Sequence, residues 1–221
     1  MGIHTHRGAP ADRRWEPEEL DAVVQAILAD LRTDTVLTVR QFQRRHGLKQ
    51  DIVRAACRLP GTGIGYRTMA VRPQANSKRT VRPELMYLSA LPSPSRISHL
   101  LGIAEMRTAL SGGLPVWSPE LHDPRRHRVR FGYPDVLCQD VNGELVAVEY
   151  DAGRYTREQI IAKDHQLRIP AARKIWGTPG LKRAINIARL LPHAEVWQVS
   201  WETGTHTLVQ RDGRLLVDVP E

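Results

Sequence analysis

Residues 134–151 read Pro-Asp-Val-Leu-Cys-Gln-Asp-Val-Asn-Gly-Glu-Leu-Val-Ala-Val-Glu-Tyr-Asp. Asp140-Val141-Asn142-Gly143 is a strong hairpin-turn signal between two apolar runs. It predicts one strand over 129–139 and the next over 144–150. Three carboxylates mark this hairpin. Asp135 follows Pro134, and proline inside a strand argues for a bend or a sheet edge. Glu149 closes an otherwise apolar run, where a charge is costly unless something binds it. Asp151 lies two residues on, and a continuing strand would put it on the same face as Glu149. Like charges so close repel unless a cation lies between them. With Asp135 on the neighbouring strand, the oxygens suit Mg²⁺ or Mn²⁺. Such a site would orient a water and stabilise the charge that develops in phosphodiester cleavage. The plainer reading pairs Glu149 and Asp151 with Arg130 or Arg154 at a strand end.

Outward from the hairpin, apolar periodicity predicts a helix over 97–110, stopped by Gly112-Gly113, and a strand over 114–117. Downstream come a helix over 156–168, a strand over 174–177, a helix over 181–191 and a strand over 194–201. A last hairpin, 205–210 and 214–219, turns at Asp212-Gly213. From 97 to 201 the order is α-β-β-β-α-β-α-β, which implies an α/β layer protein with a mixed sheet. Leu91-Pro92-Ser93-Pro94-Ser95 reads as a linker. The expected organisation is a flexible basic tail over 1–15, a first domain over 16–90, a linker over 91–96 and a second domain over 97–221.

The first domain reads as a winged helix-turn-helix. Leu20, Val23, Val24, Ile27, Leu28 and Leu31 have helical spacing over 17–31, and Pro17 suits the first helical position. Thr38 with Gln41 fits a capping box, and Gly47 is a natural stop. A third helix over 49–59 ends at Pro60-Gly61. Strands over 66–72 and 79–88 would form a wing tipped by Lys78 and Arg79. The glycines of 61–65 mark the turn into it rather than a dinucleotide fingerprint, since no strand precedes them. On the third helix Gln50, Arg54 and Arg58 make one polar stripe opposite Ile52, Val53, Ala56 and Leu59. That is the form of a recognition helix in a major groove. Arg40 and Arg44 would clamp phosphates. A helical hairpin for protein contacts is the alternative.

The charge distribution agrees with nucleic acid as partner. The chain has 221 residues, 41% of them apolar, and 32 Lys and Arg against 24 Asp and Glu. Between residues 38 and 83 eleven bases face one acid, Asp51, whereas residues 91–221 hold seventeen bases and fifteen acids. The basic excess therefore belongs to one short segment, as a phosphate-binding surface would require. Four arginines in 125–130, Arg126 and Arg128 among them, form a second basic loop that would clamp a DNA backbone. Cys57 and Cys138 make no disulfide framework, which fits a reducing, cytoplasmic compartment. No stretch approaches the roughly 18–20 apolar residues of a membrane span, and 1–14 lack the apolar core of a signal peptide. No helical His-Glu-x-x-His zinc pattern occurs. Tyr155, at a helix start, reads as packing rather than as a nicking nucleophile.

Pro134-Asp135, a spacer, then Glu149-x-Asp151, within this element order, resembles the PD-(D/E)xK nuclease superfamily. More narrowly the chain is similar to plasmid replication-relaxation proteins, over roughly 18–201. His99, Glu105, Trp117, Glu120, Pro134-Asp135, Glu149-Tyr150-Asp151-x-Gly153 and Lys163 carry that likeness. The resemblance implies a winged helix joined to a nuclease-like core, with Asp135 and Glu149 holding Mg²⁺ or Mn²⁺ and Asp151 assisting. The superfamily's lysine two residues after the glutamate is Asp151 here, and Lys163 would take its place from the following helix. The implied function is DNA binding in plasmid or mobile-element replication and maintenance, in a bacterial cytoplasm, with metal-dependent nicking or cleavage. The alternative is a non-enzymatic DNA-binding regulator or replication accessory factor with a degenerate nuclease fold. The expected partners are DNA, a second copy of the chain, and replication or mobilisation proteins, with no membrane.

Overall fold

The structure is a computed structural model and describes residues 15–111, 116–117, 134–166 and 171–218. The basic tail over 1–14, Glu120 and the arginine loop with Arg126 and Arg128 lie outside the described residues. The protein is of the α+β class, with helices beside one antiparallel and one mixed sheet. Among the described residues no helix is long and apolar enough to cross a membrane.

Helix α1 (Pro17–Asp34) starts on a capping box of Glu16 and Glu19 and buries Val23, Val24, Ile27 and Leu31. It runs one turn beyond the expected end, which brings Asp34 onto the buried face. Strand β1 (Val36–Thr38) follows; its three residues are too few for a strand period to show in sequence. Thr38 caps α2 (Val39–His46) with Gln41, and Gly47 ends it in the left-handed region at φ 66°. Helix α3 (Gln50–Cys57) stops short of Arg58. Strands β2 (Gly65–Thr68) and β3 (Glu84–Tyr87) join β1 in the order β1-β3-β2. The expected wing strands are thus shorter than read, and between them only Val71 and Val81 pair.

The second half is built on α4 (Pro94–Leu110), which begins earlier than expected, inside the Pro/Ser segment. Strands β4 (Val116–Trp117), β5 (Val136–Gln139) and β6 (Leu145–Tyr150) form an antiparallel meander. Helix α5 (Arg157–His165) and then α6 (Leu181–Leu190) cross over to β7 (Arg173–Thr178) and β8 (Glu195–Ser200), both parallel to β6. Strands β9 (Thr205–Arg211) and β10 (Arg214–Leu215) finish a sheet ordered β10-β9-β8-β7-β6-β5-β4. Period-2 alternation divides its faces. Val136, Cys138, Val146, Val148 and Tyr150 pack with α4, while Trp176 and Val196 pack with Ile160 of α5 and with α6. Gly102 lets α4 lie on the Tyr150 ring, where a Cβ would overlap it. Both cysteines are buried and free, and burial pushes each thiol up to about 12.

The two halves share their interior. Val36, Val71 and Leu85 of the first pack with Ile97, Leu100, Leu101 and Trp201 of the second. Buried charges cross the same boundary. Arg45 of α2 bonds Asp30 and Asp34 at 2.8 and 2.7 Å, and Arg107 of α4 bonds them at 2.7 and 2.5 Å. Beside them Glu105 of α4 is buried and accepts from Gln41 at 2.8 Å and Arg44 at 3.0 Å, with His206 at 2.8 Å. Removing one partner of such a set strands a buried charge. Arg107→Ala should therefore cost about 3–5 kcal/mol of unfolding free energy. Urea denaturation measures it, and a loss near that of an ordinary surface substitution would contradict this account.

Candidate functional site

The register pairs Val136 with Val148, so one step further Asp135 comes opposite Glu149. Both side chains lie on the face covered by α5, because Val136, Val148 and Tyr150 take the α4 face. The backbone N–H of Tyr150 donates to Asp135 Oδ2 at 2.9 Å and fixes that carboxylate at the strand entrance. Helix α5 is capped by Thr156 with Gln159 and buries Ile160 and Asp164. Lys163, three residues after Ile160, falls on the same side of the helix. Its amine reaches both carboxylates: Asp135 Oδ1 at 3.3 Å, and Glu149 Oε2 in a short contact. Tyr155 holds that amine from the other side, its hydroxyl 3.1 Å away and its ring centroid 5.0 Å away. From α4, His99 Nε2 lies 3.4 Å from Asp135 Oδ1.

The electrostatics are uneven. Burial alone would push Asp135 up, but the neighbouring His99 and Lys163 hold its carboxyl well below the usual carboxylate range. Glu149 goes the other way, raised well above its usual value by burial and by the charge of Asp135, with Lys163 opposing. Burial would lower Lys163, yet Asp135 and Glu149 raise it. The directions fit together: two carboxylates share one ammonium, the deeper one bears the unfavourable charge, and the amine stays charged. Burial and Asp135 also push the Tyr155 phenol up, which disfavours the phenolate a nucleophile needs. Glu149 Oε1 is fully buried without a hydrogen-bond partner, the only carboxylate oxygen so placed among the described residues.

Asp151 does not join this cluster. Strand β6 ends at Tyr150, and Asp151 Oδ1 accepts from the backbone N–H of Gly153 and Arg154 at 2.9 and 2.8 Å. Its Oδ2 takes Arg183 of α6 at 2.6 Å. It is a fully buried acid with its donors supplied. Among the described residues no three His, Cys, Asp or Glu side chains gather into a metal-binding group.

The residues expected to contact DNA are placed unequally. Arg54 is held by Glu84 through two nitrogens at 2.7–3.0 Å, and the Tyr66 hydroxyl donates to the same carboxylate. Gln50 bonds Gln43 at 3.0 Å, and Arg58 lies 5.8 Å above the Tyr66 ring. Arg44 is committed to Glu105, and Arg79 to Glu202 at 2.5 Å. Arg40 and Lys78 are exposed. Of the eleven bases between residues 38 and 83, Arg44, Arg45, Arg54 and Arg79 are paired to acids and the other seven are exposed. The sequence reading assigned no role to Asp30, Asp34, Arg45 or Arg107. The available signal was two acids at positions 30 and 34, in line with the apolar stripe of Ile27 and Leu31 on α1.

This is an α+β protein with a two-carboxylate, one-lysine cluster at the strand ends of a mixed sheet. The family model described as Replication-relaxation matches residues 9–168, which include Asp135, Glu149 and Lys163. The chain belongs to the replication-relaxation family, and that membership suggests a role in plasmid or mobile-element replication. No curated protein and no solved structure matches the chain.

The raised pKa of Glu149 has a measurable consequence. A group raised on folding contributes stability that is present below its unfolded value, here about 4.5, and lost as pH rises through the folded value. Glu149→Gln removes that loss. The variant should melt above the wild type at pH 7, and the two melting curves should converge near pH 4. A gap of constant size across that range would refute the assignment.

Proposed function

We propose that the chain binds DNA in plasmid or mobile-element replication and cleaves or nicks it at the Asp135–Glu149–Lys163 cluster. The observation that carries this reading is the pair of carboxylates facing each other across β5 and β6 with a lysine amine between them and one buried oxygen unsatisfied. This is the arrangement that the PD-(D/E)xK resemblance implies, with the lysine brought from α5 instead of from the strand.

The residues fit a divalent cation. Two negative oxygens on one face, one of them without a partner, suit Mg²⁺ or Mn²⁺, which keep several water ligands of their own. Asp135 and Glu149 would hold the ion. When bound it would polarise the phosphate and acidify a water. Lys163, on a flexible four-carbon stem, then offers its charge to the phosphate or to the attacking water instead of to the acids. Tyr155 keeps the amine at the site, and His99 keeps Asp135 ionised and oriented. Asp151 acts indirectly, by fixing the turn that carries Tyr155.

Six exposed bases of the first half, Arg40, Lys49, Arg58, Arg67, Lys78 and Arg82, supply the DNA affinity. Arg40, Arg58 and Lys78 would contact phosphates, whereas Arg54 would need to leave Glu84 before it could read a base. A second reading, a regulator that binds DNA without cutting it, draws on the same amine, because Lys163 already neutralises part of the acid pair.

Supercoiled plasmid incubated with Mg²⁺, Mn²⁺ or EDTA separates the two. Nicked or linear product should appear only with metal, and Asp135→Asn, Glu149→Gln and Lys163→Met should each slow it by about 100-fold or more. Absence of product beside salt-sensitive binding would select the regulator. Binding through the three phosphates met by Arg40, Arg58 and Lys78 should fall with a log–log salt slope of about −2.7; a flat salt response would refute the DNA reading.

A further inference from the structure

The segment between β2 and β3 does not project as a free wing. It folds down onto the second half of the chain. The Ala75 N–H donates to Ala152 O at 2.8 Å, and Asn76 Nδ2 donates to Gly153 O at 3.1 Å. Ser98 Oγ of α4 donates to Pro73 O at 2.9 Å, and Arg79 bonds Glu202 at 2.5 Å. Gly153, at φ +88°, lies beneath Gln74 and Ala75, where a larger residue would be strained. The loop therefore rests on the chain just after β6, the strand that ends in Glu149-Tyr150.

Beneath it is a cleft of about 570 Å³, with Arg72, Ala75 and Thr80 on the loop side and Ser98, Ala152 and Arg154 on the other. No described carboxylate lines it. The cleft is continuous in sequence with the acid cluster at two points. Ser98 precedes His99, which contacts Asp135, and Ala152 follows Glu149 by three residues. Its volume falls within the roughly 300–1,000 Å³ of ligand pockets. A double helix, whose major groove alone is about 12 Å wide, does not fit under the loop. A single strand is the narrower polyanion, and Arg72 and Arg154 are the cations that would meet its phosphates.

We propose that the cleft between the β2–β3 loop and the core takes a single unpaired DNA strand by its phosphates and leads it to Asp135 and Glu149. This rests on the DNA-binding reading above and adds the form of the substrate: the strand that reaches the acids is single. The helix-turn-helix unit meets duplex separately, so the chain has two DNA surfaces with different preferences.

Fluorescence anisotropy tests it, using a labelled oligonucleotide as a single strand and as a duplex, with the wild type and two variants. Arg72→Ala removes a cleft cation. Ala70→Glu adds a carboxylate at an exposed position of the cleft wall and leaves the core untouched. Circular dichroism melts confirm that both variants fold. Each variant should weaken single-strand binding by about tenfold and leave duplex binding within twofold. Unchanged single-strand affinity, or an equal loss for both forms, overturns the cleft while the DNA reading stands. No binding of either form by the wild type overturns the DNA reading and the cleft together.

Discussion

Asp30 and Asp34 are buried in the first half of the chain, and no cation on their own helix neutralises them. Arg45 comes from α2 and Arg107 from α4, and each reaches both carboxylates. Buried charges are tolerable only when partners of good geometry surround them. The packing of α1 on α3 therefore presupposes that α4 is in place. Glu105, two residues before Arg107, extends the constraint to Gln41 and Arg44 of α2 and to His206 of β9. A chain cut in the Pro/Ser segment would take Arg107 from Asp30 and Asp34 and would part Glu105 from Gln41 and Arg44, even though the sequence there looks like a linker.

Helix α4 thereby becomes the common wall of both halves, and this positions the site. One face carries Ile103, Met106 and Leu110 onto the large sheet. Gly102 brings the helix down on Tyr150, next to Glu149. The N-terminal turns place Ser98 against the β2–β3 loop and His99 against Asp135. The same helix thus fixes the first three helices, the loop and one edge of the acid cluster.

Much of this was legible in the sequence where the signal is local. The Thr38–Gln41 cap, the Gly47 stop and the Asp140–Gly143 turn all form as their residue types dictate. The opposition of Asp135 and Glu149 followed from the hairpin, and Lys163 from the resemblance. What was not legible lies across long chain separations. The Gln50–Arg54–Arg58 stripe looks like a free recognition face until Glu84 and Tyr66 arrive from the sheet. Arg44 looks like a phosphate clamp until Glu105, 61 residues away, takes it. Asp151 looked like a third acid because period-2 geometry was extended past the strand end, where backbone donors and Arg183 capture it.

Buried carboxylates are common in this protein, so burial alone does not pick out a site. Asp151 has Arg183 and backbone N–H groups; Asp164 has Lys174, Trp176 and His193; Glu195 has Arg173, Arg211 and Trp197. Each is surrounded by donors from fixed elements, the pattern of an acid retained for structure. Glu149 has one donor, on a flexible side chain that Asp135 also claims, and one oxygen with none. A fold that satisfies its other buried acids so fully has the means to satisfy this one, by a second arginine or by glutamine in its place. Under the proposed function, a divalent cation would complete the coordination of Glu149. The same reasoning sets Lys163 apart from Arg183: the guanidinium is fixed on one acid, whereas the amine is shared among two acids and a phenol and can move to a new oxygen at small cost.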